Sequence, residues 1–242
     1  MFGLIYPYGL VFQALALLHF ARRRPEGYWL WIIIMGGGLG ALVYLVVEAI
    51  PDFGLLRTSF QAFPRRKRIR ALQYEIVDNP SSGNFEELGD LYLEDGQPAK
   101  ARECYDRVLA GRATSLDPLY RRGLAFLALG DDASASADLE KVVAQDPRYD
   151  YHRAAGLLAH LHGRQGQPGR ADALFREALA LSTSSETQYN YATFLFEHGR
   201  PAEAREWATR LLAKKTTMPG YLKRQERPWF RKAKSLLSKL PR

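Results

Sequence analysis

Four glycines set the frame of this chain. Gly96, Gly130, Gly166 and Gly199 each close an apolar-periodic stretch, at intervals of 34, 36 and 33 residues. Five residues after each stands an alanine: Ala101, Ala135, Ala171 and Ala204. Seven residues before each stands a small residue: Gly89, Gly123, Ala159 and Ala192. A fixed period of this size, with small and large positions kept in step, is the signature of stacked repeats. The small positions let two antiparallel helices approach closely. The glycine supplies the positive φ of the tight turn between them. One such pair cannot bury its apolar face, but a stack of pairs can.

The stretch Phe85, Leu88, Gly89, Tyr92, Gly96, Ala101, Tyr105 resembles a tetratricopeptide repeat, and Pro147 sits where that repeat ends in proline. The resemblance implies four repeats near 82–115, 116–149, 152–185 and 185–218. It further implies that the first helix of each repeat lines a groove. In the first two repeats this gives Glu86, Asp90, Leu93 and Glu94, then Asp117, Tyr120, Leu124 and Leu127. In the last two it gives Arg153, His160 and Arg164, then Glu186, Tyr189, Thr193, Phe196 and Glu197. Acids at Glu86 and Asp90 exclude the Lys/Asn clamp that chaperone-binding relatives use for a C-terminal carboxylate. An aromatic, mixed-charge groove suits a helical or extended peptide.

Two stretches before the repeats have a different character. Residues 2–20 and 28–47 carry no formal charge, and Arg22, Arg23, Arg24 and Pro25 lie between them. Each is long enough to cross a hydrocarbon core of about 30 Å, and aromatic residues stand near their ends. They predict a transmembrane helical hairpin over residues 1–52. Gly36, Gly37 and Gly40 predict close helix packing, either on the first span or on another membrane subunit. Leu17-Leu18-His19, Arg22 to Pro25, Trp31 and Leu39 to Tyr44 resemble the membrane hairpin of phospholipase-D-type lipid synthases such as cardiolipin synthases. That family's His-x-Lys motif is absent, since none of the five histidines has a lysine two residues later.

Charge divides the chain further. Residues 78–213 hold 15 Lys/Arg against 21 Asp/Glu, whereas residues 214–242 hold 10 against 1 and residues 51–70 hold 6 against 1. Arg65, Arg66, Lys67 and Arg68 form the run expected to touch anionic headgroups, within an amphipathic and lead-in segment over 53–80. Nucleic acid is disfavoured, because no aromatic stacking platform accompanies the run. Residues 219–242 predict a basic helix whose apolar stripe, Trp229, Ala233, Leu236, Leu237 and Leu240, caps the repeat domain over 81–218. The one cysteine, Cys104, allows no disulfide within the chain.

The expected architecture is all-α: a transmembrane hairpin, then an α-solenoid of about four repeats with a capping helix. No phosphate loop, paired-cysteine motif or catalytic constellation is present, so no enzyme activity, metal or cofactor is expected. The reading is an inner-membrane scaffold with two spans and cytoplasmic repeats that bind protein partners. The rivals are an accessory subunit of a larger membrane complex, held through its spans, and a regulator or remnant of a lipid-synthesis enzyme.

Overall fold

The computed structural model describes residues 6–23, 26–49, 55–111 and 115–241. All regular structure among them is helical, and the chain divides into two compact units, Met1–Ala71 and Leu72–Arg242.

In the second unit the repeats are helix pairs. Helix α5 (Ser82–Glu94) pairs with α6 (Pro98–Gly111), and α7 (Leu116–Leu129) with α8 (Asp132–Gln145). Next, α9 (Arg153–Arg164) pairs with α10 (Pro168–Leu181), and α11 (Ser185–Glu197) with α12 (Pro201–Thr217). The turn glycines do what their spacing requires: Gly96, Gly130, Gly166 and Gly199 have φ of 73° to 77°. Each donates its N–H to the carbonyl three residues back, and the next residue donates to the carbonyl five back, as in Gly130 to Leu127 and Asp131 to Phe126. These bonds satisfy carbonyls that the ending helix leaves open. Pro98, Pro168 and Pro201 open the second helices, where a missing N–H costs nothing. The small positions sit at the crossings. A Cβ on Gly89 would stand 2.8 Å from the Tyr105 ring, and one on Gly123 would stand 3.3 Å from Leu139. Gly156, which the repeat pattern does not mark, plays the same part between repeats: a Cβ there would stand 2.4 Å from Thr187 Oγ1.

Two short helices follow, α13 (Gly220–Gln225) and α14 (Arg227–Lys239). Helix α14 packs on α12 and α11 and buries Phe230, Ala233, Leu236 and Leu240 against the last repeat. Trp229 is only half-buried, so the inward stripe starts one residue later than its spacing implied.

The first unit departs from two parallel-sided spans. Helix α1 covers Tyr6–Arg23. The second apolar stretch does not form one long helix. It breaks into α2 (Tyr28–Met35), α3 (Gly37–Tyr44) and a π-helical turn over Leu45–Ala49. The rings of Trp29 and Tyr44 lie 5.5 Å apart. In a continuous helix those two Cα atoms would be about 22 Å apart. The stretch therefore doubles back at Gly36-Gly37, where Gly37 has φ of 54°. The physical reason is the glycine cluster. A Cβ on Gly40 would stand 2.0 Å from the Ile32 carbonyl oxygen, and one on Gly38 would stand 2.7 Å from Gly9 Cα. Thus Gly36, Gly37 and Gly40 serve the chain's own fold, and α1 is met through Gly9 and Gly38. Among the described residues no helix is long and apolar enough to cross a membrane.

Helix α4 (Leu55–Asp78) then runs through Pro64 as one helix and ends before Pro80. Phe53, at the start of the expected amphipathic segment, lies outside the described residues. Lys67 and Arg68 are exposed, as is Arg66, while Arg65 is half-buried.

Candidate functional site: the groove between repeats two and three

The first helices of repeats two and three frame a cavity of about 350 Å³. Its wall comprises Asp117, Tyr120, Arg121 and Leu124 from α7, Tyr149 and Asp150 from the following linker, and Arg153 at the start of α9. Tyr120 is 4% exposed, and its hydroxyl donates to Asp150 Oδ2 at 2.6 Å. Arg153 Nη1 donates to the same hydroxyl at 3.0 Å, and its Nε donates to Glu186 Oε2 at 2.7 Å. The Tyr149 hydroxyl donates to Asp117. The Tyr120 and Tyr149 rings stand 5.0 Å apart at 60°. Burial raises the pKa of the Tyr120 phenol well above its ordinary value, and the nearby Asp150 carboxylate adds to the rise. The tyrosine therefore stays a neutral donor.

Neither Tyr149 nor Asp150 is marked by the repeat pattern. The signal was the interval of 36 residues between Gly130 and Gly166. It lengthens the linker between α8 and α9, and that linker turns left-handed: Asp150, Tyr151 and His152 have φ of 49°, 53° and 65°. Left-handed backbone costs about 1–2 kcal/mol per non-glycine residue, so three in succession are held by what they contact. The bond from Tyr120 to Asp150 is such a contact.

The other expected groove residues divide. Asp90 joins the site's edge, accepting from the Tyr105 hydroxyl at 2.6 Å and facing Arg121 Nε at 3.6 Å. Glu86 is half-buried on the same helix, α5. His160 lies half-buried on α9, with its pKa lowered first by burial and then by Arg164. Arg164 in turn pairs with Asp132 at 3.0 Å. Phe196 packs at the edge of the core around Phe175 and Leu195. Tyr189 packs against the capping helix: its ring lies 5.8 Å from Trp229 of α14, and the Lys232 ammonium lies 5.6 Å from its centre. Cys104 is buried, and burial pushes its thiol up to about 11, so it is an inert core residue. No group of three potential metal ligands occurs among the described residues.

Residues 86–150 and 157–219 match the family described as Tetratricopeptide repeat, over more than half of the chain. The chain belongs to the tetratricopeptide repeat family. Solved structures agree on the fold. A thermophilic TPR protein of Thermus thermophilus superposes with a TM-score of 0.55 at 20% identity, covering 76% of this chain and 97% of its own. MamA superposes with a TM-score of 0.51 at 18% identity, covering 71% of this chain and 87% of its own. Among curated relatives, mouse DnaJ homolog subfamily C member 3 is 31% identical over 120 residues, 48% of this chain and 23% of that protein. Rat FK506-binding protein-like is 51% identical over 53 residues, 22% of this chain and 15% of that protein. The chain therefore spans less than a quarter of the curated relatives it matches. The all-α repeat fold is what this tetratricopeptide repeat protein shares with them.

Proposed function

We propose that the chain is a non-catalytic adaptor, attached to a membrane through its first unit, whose groove takes an extended segment of a partner protein. The observation that carries the groove reading is the cavity walled by Tyr120, Tyr149 and Arg153. Aromatic and arginine side chains fixed by hydrogen bonds lose little freedom on binding, and such residues dominate interface energetics. Asp90, Asp117, Asp150 and Glu186 surround it against Arg121 and Arg153, so a segment bearing lysine or arginine is the complementary partner.

Membrane attachment is supported by the first unit's surface, where Leu15, Trp31, Met35, Leu39, Val43 and Val47 are all exposed. Apolar residues on every side of a helical unit fit lipid or an intramembrane partner. The second of these is the accessory-subunit reading, and the same surface favours it. In this proposal the membrane is an inner membrane of bacterial type, the repeats face the cytoplasm, and Arg65 to Arg68 meet anionic headgroups.

A photo-crosslinking residue in place of Leu124, in the full chain, tests the groove. One dominant partner should be captured, and the double variant Tyr149→Ala/Arg153→Ala should lose it with helical content unchanged. Capture that survives the double variant would remove the groove from the reading and leave the first unit as the contact.

A further inference from the structure

The α2–α3 pair has the shape of a hairpin that enters and leaves by one side. Each helix has eight residues, about 12 Å of rise, against a hydrocarbon core of about 30 Å. Their contact is intimate along the whole length: Ile32 against Gly40 near the turn, and Trp29 against Tyr44 at the open end. Helix α1 runs beside them with Gly9 at the turn and His19 at the open end, where its Nδ1 lies 2.9 Å from the Tyr44 hydroxyl.

The two ends of this unit differ. The turn holds Met35, 81% exposed, with Gly36 to Gly38 and Leu39, and no charge. Glu26 and Glu48 lie at the open end, with Glu48 in Coulombic reach of Tyr28. Non-helical backbone at membrane depth is tolerated where the protein itself satisfies it. The turn makes two such bonds. Gly36 donates to the Ile32 carbonyl at 3.0 Å, and Gly40 donates to the Gly36 carbonyl at 2.9 Å. The half-buried Gln13 of α1 donates to the Ile33 carbonyl at 2.9 Å.

We infer that residues 28–47 form a re-entrant hairpin with its glycine turn in the hydrocarbon, so that the connector before Tyr28 and the chain after Glu48 lie on the same membrane face. This rests on the membrane attachment proposed above and changes its topology. Had residues 28–47 crossed as one helix, Arg22 to Arg24 would lie opposite the six basic residues of 51–70. With the hairpin, all nine share one face, and the positive-inside rule then points a single way.

Single-cysteine labelling decides it. In a Cys104→Ala background, Gly27→Cys and Glu48→Cys are placed separately in the full chain, and sealed membrane vesicles of known sidedness receive a membrane-impermeant maleimide. Gly27 has open space around its Cβ position, so that cysteine is tolerated. Both cysteines should be labelled from the same side and lose labelling from the other, while Met35→Cys should be protected from both until detergent is added. Labelling of Gly27→Cys and Glu48→Cys from opposite sides would overturn the hairpin and leave attachment standing. All three cysteines labelled freely in protein that does not sediment with the vesicles would overturn attachment and the hairpin together.

Discussion

Asp138, on α8, is 3% exposed, and both its oxygens are held by one edge of a guanidinium. Arg122 Nε and Nη2 donate to its two oxygens at 2.7 and 2.8 Å, and Nη1 donates to Asp106 of the preceding repeat at 2.7 Å. The pair joins three helices. Removing one member strands a buried charge, so Arg122→Leu should cost about 3–5 kcal/mol, whereas Arg122→Leu with Asp138→Leu should recover most of it. Denaturant unfolding of both variants checks this, and equal losses would show that the charge was not what mattered. His162 is buried too, and burial, the largest cause, lowers its pKa, with Arg170 helping and Glu140 opposing. His160 is lowered by burial and then by Arg164. Each imidazole binds its proton more weakly in the folded chain than in the unfolded one. The unfolded chain takes up protons first as pH falls through about 6.5, so stability present above that value is lost below it. The melting temperature should drop between about pH 7 and pH 5, and His160→Gln/His162→Gln should flatten the drop. A variant that keeps the full slope would assign it elsewhere. At this scale the sequence showed Tyr120, Arg153 and Glu186 but not Tyr149 and Asp150. Periodicity marks helix faces, whereas Tyr149 and Asp150 sit on a linker whose conformation follows from contacts across repeats.

At the scale of elements, helix α14 ends the solenoid. Its apolar side covers Leu211 and the core around Leu195, and Arg205 of α12 bonds the Leu240 carbonyl at 3.0 Å. Leu236→Ala in this packing should cost about 2–5 kcal/mol. Deleting residues 226–242 removes Phe230, Ala233, Leu236 and Leu240 at once, and its melting temperature should fall below that of Leu236→Ala. A deletion that melts with the intact chain would show that α12 closes the stack alone. The helix pairs themselves were legible because turn glycines and small crossing residues keep one register through all four repeats. The cap was legible with a slipped register. Trp229 and Phe230 are adjacent, and burial decides between them: Phe230 is 5% exposed, while Trp229 is half-buried with the Lys232 ammonium 4.2 Å from its ring centre. The break in the second apolar stretch is invisible to hydropathy, which sums over a window and does not see a turn. Gly36 to Gly38 cost little apolarity, yet they remove the side chains that would keep the two halves apart.

For the whole molecule, the two units follow different rules of burial. The repeat unit hides its large apolar residues in continuous cores between successive pairs, and those left exposed, such as Tyr74, Leu129 and Leu181, are scattered. Among the described residues the first unit buries Ala16, Trp29, Ile33, Ala41 and Tyr44 at its centre, while Leu15, Trp31, Met35, Leu39, Val43 and Val47 are exposed. Water does not favour such a surface, at about 25 cal/mol for each Å² exposed. The basic run Arg65 to Arg68 offers a second, weaker attachment that acts through charge. Salt separates the two. At about 0.1 M the Debye length is near 10 Å and at 1 M near 3 Å, so headgroup attraction fades while hydrophobic insertion does not. The full chain should therefore sediment with vesicles of phosphatidylethanolamine and phosphatidylglycerol and stay there at about 1 M salt. Residues 72–242, which lack both α1–α3 and the basic run, should remain in the supernatant. Release of the full chain by salt alone would make Arg65 to Arg68 the anchor and return the apolar unit to a protein partner. Sedimentation of residues 72–242 would move the attachment to the basic tail of α14.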